Sequence, residues 1–155
     1  MSKQFLQNMQ EAFVTDDFEA MKVLLTNGCD VNSAYTRDGS TILHRAVIEN
    51  EKDMIDFLIY HHVDVNKSDR RGMTALHYAA LYKFTDAAET LINAGALLDV
   101  ADQSGNTPLA YAISDRREGY LVMTKLLVDR GANTDIRTRD GQSMFELYGI
   151  SLKDS

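Results

Sequence analysis

The sequence has 155 residues, 45% of them hydrophobic and 25% charged, which is enough for one domain with a buried core and excludes wholesale disorder. Its formal net charge of −7 disfavours non-specific binding to nucleic acids or anionic membranes, because both carry negative charge. The single cysteine, Cys29, excludes an internal disulfide and a cysteine-based zinc site.

The first segment lacks the apolar run of a signal peptide, and nowhere do eighteen uncharged apolar residues follow one another. We therefore expect a cytoplasmic protein, or the soluble part of a larger one. Residues 1–27 show helical spacing of apolar residues on both sides of a break at Thr15 and Asp16. The spacing predicts a pair of helices, carried by Phe5, Met9, Ala12 and Phe13 and then by Phe18, Met21, Leu24 and Leu25.

From residue 37 onwards the sequence repeats itself. The segments RDGSTILHRAV (37–47), RRGMTALHYAA (70–80) and QSGNTPLAYAI (103–113) superpose without gaps at a period of 33 residues. A fourth copy, RDGQSMFELYG (139–149), follows after 36 residues, and we place the three extra residues within 115–120. A second signature, an apolar helix end followed by a turn, recurs at 23–32, 57–66, 90–100 and 126–136.

Each repeat carries the start signals of a helix. Thr41, Thr74 and Thr107 stand directly before apolar helical segments, where a hydroxyl caps the first free amides, and Pro108 follows at the first helical position. In the copy that begins at residue 69 we predict an inner helix over about 75–82 and an outer helix over about 86–94. Its predicted core consists of Leu76, Ala79, Ala80, Ala88, Leu91 and Ile92.

These motifs resemble those of ankyrin-repeat proteins, whose pattern runs D-x-x-G-x-T-P-L-H-x-A-A and, later, V-x-x-L-L and G-A-D-V-N. The match is closest over 69–93 and 102–108 and extends more loosely from about residue 5 to residue 148. The resemblance implies an all-α solenoid of stacked antiparallel helix pairs joined by β-hairpin loops. We predict one domain, with an N-terminal capping repeat (1–34), three full repeats (35–68, 69–101 and 102–137) and a partial C-terminal repeat (138–155), and number these repeats one to five.

Three positions depart from the family pattern. Asn50 and Lys83 occupy the turn between the two helices of a repeat, and His62 ends an outer helix, all in places that the family usually gives to glycine. Asparagine adopts the left-handed backbone conformation readily, whereas lysine and histidine do so at a cost of about 1 kcal/mol each.

The histidines invite a catalytic or metal-binding interpretation. The resemblance implies instead that His44 and His77 are structural, bonded to the threonine of their own motif and to the backbone of the neighbouring repeat. We expect His61 and His62 to form a surface turn with too few ligands nearby for a metal. Cys29 stands where the family has alanine, and the resemblance therefore implies a small packed residue. No phosphate loop or nucleophile elbow occurs, so we predict no enzymatic activity, metal or cofactor.

In ankyrin-repeat proteins the hairpin tips and inner helices form a concave face that binds other proteins through the variable positions of the motif. Transferred position by position, the resemblance predicts a partner-binding set composed of Arg37, Asp38, Arg70, Arg71, Met73, Tyr78, Leu81, Tyr82, Ser104, Asn106, Tyr111, Asp115 and Arg139. Arginine, tyrosine and methionine in the third repeat favour it as the centre. The alternative is that Leu81 and Tyr82 only pack under a neighbouring hairpin.

Three kinds of partner fit the sequence. Arginines on the tips favour an acidic protein partner, although solvated surface charge is the commoner reason for such a pattern. Small size and acidity also suit a dedicated inhibitor or immunity protein for one enzyme or toxin, and nucleic-acid binding through the tips is a weaker alternative. The apolar C-terminal residues Phe145, Leu147, Tyr148, Ile150 and Leu152 either fold back as a cap on a monomer or meet another chain.

Overall fold

The computed structural model describes residues 3–114 and 118–137, together with Ser143 and Glu146. These residues form four helix pairs: α1 (Lys3–Val14) with α2 (Phe18–Thr26), α3 (Ile42–Ile48) with α4 (Lys52–Tyr60), α5 (Ala75–Tyr82) with α6 (Thr85–Asn93), and α7 (Pro108–Ser114) with α8 (Tyr120–Asp129). The all-α prediction is confirmed. Within the described residues, β structure is limited to isolated bridges, which join Ala34 to Thr41, Ser68 to Thr74 and Arg137 to Ser143.

The helices stack in two rows. In the inner row α3 packs on α5 and α5 on α7, and in the outer row α2, α4, α6 and α8 follow one another. The inner helices are the more deeply buried, since the first six residues of α5 are all buried. The predicted core of the third repeat is confirmed except at Ile92, which is half-buried and packs against the edge of the core near the end of α6.

The motif threonines stand at the N-terminal ends of the inner helices, as the sequence predicts. Thr41 and Thr74 are the N-cap residues of α3 and α5, and each forms a capping box with the histidine three residues later. In the fourth repeat the Thr107 hydroxyl accepts from the Ala110 N–H at 3.3 Å, and Pro108 is the first residue of α7. Pro108 forfeits no helical hydrogen bond there, because the first amides of a helix have no partner within it.

The unusual turn residues adopt the predicted conformation. Asn50 and Lys83 have φ of 55° and 63°, and Asp16 takes the same left-handed conformation at 54° between α1 and α2. His62, with φ of 57°, stands where the other outer helices are followed by Gly28, Gly95 and Gly131. The segment predicted to hold the three extra residues separates α7 from α8, and its residues 115–117 lie outside the described part of the chain.

Hydrogen bonds between neighbouring repeats hold the stack along both of its loop edges. At the hairpin tips the Arg70 N–H donates to the Asp38 carbonyl at 2.8 Å, and the Gln103 N–H donates to the Arg71 carbonyl at 2.9 Å. After the outer helices, a side-chain oxygen of one repeat accepts a backbone N–H of the next. These pairs are Asn32 with Asp64, Asn66 with Leu97 and Asp99 with Asn133, at 2.7 to 2.8 Å.

The longest helix, α1, has 12 residues. Over the described part of the chain, therefore, no helix has the length and apolarity that a bilayer crossing requires.

Candidate functional site

The two motif histidines join neighbouring repeats. The Nδ1 atom of His44 accepts from the Thr41 N–H at 3.1 Å and lies 2.9 Å from the Thr41 hydroxyl, while Nε2 donates to the Met73 carbonyl at 3.0 Å. His77 makes the same contacts with Thr74, and its Nε2 donates to the Asn106 carbonyl at 3.2 Å. Both histidines therefore bond to the threonine of their own motif and to the backbone of the next repeat.

This geometry also fixes the protonation state of the histidines. A carbonyl oxygen can only accept, so Nε2 carries the proton, and Nδ1 stays unprotonated to receive the threonine N–H. His44 and His77 are 1% and 0% exposed, and burial lowers the pKa of both rings because it disfavours the imidazolium form. Neutral rings with both nitrogens occupied are unsuited to acid–base catalysis.

A second set of hydrogen bonds, not predicted from the sequence, locks the hairpins to the inner helices. The Tyr78 hydroxyl donates to Asp69 Oδ2 at 2.7 Å, and Asp69 Oδ1 accepts from the N–H groups of Arg71 and Met73. In the fourth repeat the Tyr111 hydroxyl donates to Asp102 in the same way at 2.6 Å. The spacing of nine residues between aspartate and tyrosine recurs in the sequence, and that recurrence was the available signal.

The second repeat lacks this lock, because Thr36 and Arg45 replace the aspartate and the tyrosine. Arg45 reaches back to the first repeat, where its Nε and Nη2 donate to the two Asp16 oxygens at 2.5 and 2.7 Å. The arginine lowers the pKa of the Asp16 carboxyl, chiefly through these hydrogen bonds. Glu49 lies 3.4 Å from the same guanidinium, so Arg45 is engaged within the chain rather than available to a partner.

The arginines of the hairpin tips are in a different situation. Arg37, Arg70 and Arg71 are exposed, and within the described part of the chain none of their side chains has an ion-pair partner. By contrast, Arg45 and Arg130, which lie away from the hairpin tips, form ion pairs with Asp16 and Glu89 respectively. We call the exposed tip residues 37–38, 70–71 and 103–104, with the exposed sides of α3, α5 and α7, the tip face.

The tip face also carries polar and aromatic groups. Asp38 is exposed, hydrogen bonded to Thr36 and to the Ser40 N–H, and these bonds hold the pKa of its carboxyl below the usual value. Tyr82 is 41% exposed and stacks on Phe84 with ring centroids 5.7 Å apart, whereas Leu81 is half-buried against the core. Leu81 therefore packs on the core, whereas Tyr82 keeps part of its ring exposed.

Some predicted contact residues are placed elsewhere. Met73 is 0% exposed, and its place in the binding set is a wrong prediction, because its backbone is bonded to Asp69 and its side chain enters the core. Tyr78 is 7% exposed, and its hydroxyl is bonded to Asp69, so its side chain is not available to a partner either. Ser104 is exposed, and Asn106 and Tyr111 are half-buried.

Asp115 and Arg139 of the binding set lie outside the described residues, as do the apolar residues predicted to form the C-terminal edge.

The other reactive side chains that the structure describes form no site. His61 is exposed and lies against two aromatic rings, Phe57 at 4.3 Å and Tyr60 at 5.4 Å between centroids. The described residues contain no group of three potential ligands that could hold a metal ion. Cys29 is a buried free thiol, and burial raises its pKa, which makes the thiolate scarce at neutral pH.

Comparison with known proteins agrees with this architecture. A family model described as "Ankyrin repeats (3 copies)" matches residues 9–102 and 69–140. The human "Ankyrin repeat and SOCS box protein 6" is 41% identical over 51 residues, and its Pongo abelii counterpart is 39% identical over 51. The "Potassium channel AKT1" of Oryza sativa subsp. indica is 42% identical over 53 residues.

These matches are local. The human and rice segments cover 33% and 34% of this chain, and the chain spans only 12% and 6% of the lengths of those two proteins. The family model, by contrast, covers most of the chain. The chain belongs to the ankyrin-repeat family, whose members in general are non-enzymatic protein-interaction modules.

Proposed function

We propose that this chain binds a partner protein through the tip face, acting as the concave face of the stack, with its centre in the third repeat. The observation that carries the proposal is the set of exposed arginines Arg37, Arg70 and Arg71, which have no ion-pair partner within the described residues. Arginine and tyrosine are among the side chains that carry most of the binding energy in protein interfaces. Tyr82, which is 41% exposed, adds a tyrosine to this set.

The arrangement of charges favours carboxylates on the partner. Asp69 and Asp102 are buried, and both carboxylates are occupied by backbone N–H groups and a tyrosine hydroxyl. The exposed charges on the hairpin tip of the third repeat are therefore those of Arg70 and Arg71. On the tip of the second repeat, the positive charge of Arg37 is balanced by the negative charge of Asp38. A nucleic acid would meet the same arginines, but a net charge of −7 opposes its approach.

The test is the combined substitution of Arg70, Arg71 and Tyr82 with alanine, assayed against partners first identified by affinity purification and mass spectrometry. The triple variant is expected to bind at least about tenfold more weakly, because each lost anchor contributes about 1 kcal/mol or more. Arg130→Ala is the matched control, since Arg130 is also an exposed arginine but pairs with Glu89 on the outer helices.

Circular dichroism melting separates loss of contact from loss of fold. The three substituted side chains lie on the surface, so the variant should melt close to the unaltered chain. Unchanged affinity in the folded triple variant would remove the third repeat from the interface. We also propose that the chain acts as a monomer in the cytoplasm, where its single buried thiol stays reduced.

A further inference from the structure

A crevice of about 450 Å³ opens between α1 and α2, and its described lining residues all belong to the first repeat. Its apolar lining comes from Ala12 of α1 and from Ala20, Val23 and Leu24 of α2. This surface, which we call the N-terminal edge, is separate from the tip face.

The N-terminal edge keeps the residue types of the stack interior. Superposing the outer helices places Val23 at the position of Phe57, Thr90 and Leu126, all of which are half-buried, yet Val23 is 60% exposed. At the next position Leu24 is only half-buried, whereas its equivalents Leu58, Leu91 and Leu127 are all 0% exposed. A terminal repeat that is adapted to solvent presents polar residues at such positions.

The other repeats show what covers these positions. Each later outer helix packs on the one before it, α4 on α2, α6 on α4 and α8 on α6. At the alanine position of the crevice, Ala20 is half-buried, while Met54, Ala87 and Met123 are at most 5% exposed beneath such a neighbour. The geometry of the N-terminal edge is therefore that of a surface made to receive one more helical layer.

Charge selects the occupant of this surface. Glu11 and Asp17 line the crevice and are exposed, and the described lining residues include no lysine or arginine. The neighbouring acids are neutralised within the chain, Asp16 by Arg45 and Glu19 by Lys22. A second copy of this chain would bring Glu11 and Asp17 against their own counterparts, which is unfavourable.

We propose that the N-terminal edge binds an amphipathic helix of another protein, whose apolar stripe covers Ala20, Val23 and Leu24 and whose lysines or arginines face Glu11 and Asp17. Such a helix would take the place that a preceding helix pair takes in the later repeats. This interaction is additional to binding at the tip face, and either one can exist without the other.

The test uses two synthetic helical peptides with identical leucine spacing, one with lysine and one with glutamate at the polar positions. Each is titrated into the ¹⁵N-labelled full chain, and backbone amide shifts are followed. The lysine peptide is expected to shift amides of α1 and α2 around the crevice, and the glutamate peptide is expected to leave them unmoved. Shifts spread over the whole acidic surface, or confined to the tip face, would overturn the proposal.

Two matched substitutions sharpen the result. Val23→Gln removes apolar contact from the crevice, and Val122→Gln is its control, because Val122 is also 60% exposed and lies at the start of α8. Val23→Gln is expected to weaken the lysine peptide about fivefold and Val122→Gln to leave it unchanged. Equal effects would contradict the proposal, as would light scattering that shows self-association abolished by Val23→Gln.

Discussion

The joint between the first two repeats differs from the two joints that follow it. The later joints are closed by buried neutral histidines, His44 and His77, and by backbone hydrogen bonds between hairpin tips. In the first repeat Gln10 takes the histidine position and is exposed. The first joint shares the hydrogen bond after the outer helices, from the Asp64 N–H to Asn32, with the later joints. In place of the histidine it has a partly exposed ion pair between Arg45 and Asp16 and the contact of the Phe13 and Tyr35 rings.

The difference shows how the stack distributes stability. Removing one partner of a buried hydrogen bond is costly, because the group left behind stays away from water without any hydrogen bond. Ion pairs near the surface contribute little by comparison, since solvent screens them. We therefore expect the second to fourth repeats, which present the tip face, to be more stable than the first, and the first to open before them.

The largest expected effect comes from removing a joint histidine. His77→Ala leaves the Thr74 N–H and the Asn106 carbonyl without their partner and opens a cavity at a fully buried position. We expect a loss of about 3 kcal/mol in the free energy of unfolding, measured by urea titration followed by circular dichroism. A loss below about 1 kcal/mol would mean that this joint is not what holds the third repeat to the fourth.

The next effect tests the close approach of the hairpin tips. Gly72 has φ of 80°, and an added Cβ would lie 3.0 Å from the Gln103 backbone nitrogen, so Gly72→Ala combines backbone strain with a clash. Gly95, with φ of 94°, has no described atom within 4 Å, and its equivalent in the second repeat is His62. We expect losses of about 2 kcal/mol for Gly72→Ala and about 1 kcal/mol for Gly95→Ala in the same titration. Equal losses would show that the tips are free to separate.

Acid weakens the same joints without any substitution. Burial lowers the pKa of His44 and His77 in the folded chain, so between the folded and unfolded pKa values the unfolded chain binds more protons. Their contribution is complete above the unfolded value of about 6.5 and is lost as the pH falls below it. Urea titrations from about pH 7.5 to about pH 5.5 should show falling stability, with a shallower fall in His77→Ala. A slope unaffected by that substitution would contradict the neutral state assigned to the ring.

The smallest expected effect concerns the first joint. Asp16→Asn keeps the size of the side chain and its left-handed backbone but removes the charge that faces Arg45. Both side chains are about one-third exposed, so the expected loss of stability is only about 0.5 kcal/mol and should shrink further in high salt. A loss as large as that of His77→Ala would make this ion pair a principal joint of the stack.

Much of this structure could be predicted from the sequence, because the same motifs recur at a fixed spacing along the chain. Helical spacing and the threonine start signals placed α5 at its observed bounds, and α6 was one residue away from its predicted range. The motif histidines were predicted correctly for the same reason, since their partners recur at a fixed offset. The left-handed turns at Asn50 and Lys83 were also predictable, because these residues stand where the family usually has glycine.

What could not be predicted depends on contacts that a single motif does not encode. Met73 occupies a variable position, and only the packed hairpin shows that its side chain turns inward. The bond from Tyr78 to Asp69 and the reach of Arg45 to Asp16 are tertiary contacts, the second spanning 29 residues. These contacts decide which arginines and tyrosines are already engaged and which remain for a partner.

The most direct test of the proposed function is a hydrogen-exchange footprint by mass spectrometry, recorded with and without a partner identified by affinity purification. Binding through the tip face predicts that the partner slows exchange chiefly in residues 69–82, with weaker protection of 36–49 and 102–114. Protection confined to the outer helices α4, α6 and α8, with the tips exchanging as fast as in the free chain, would contradict it.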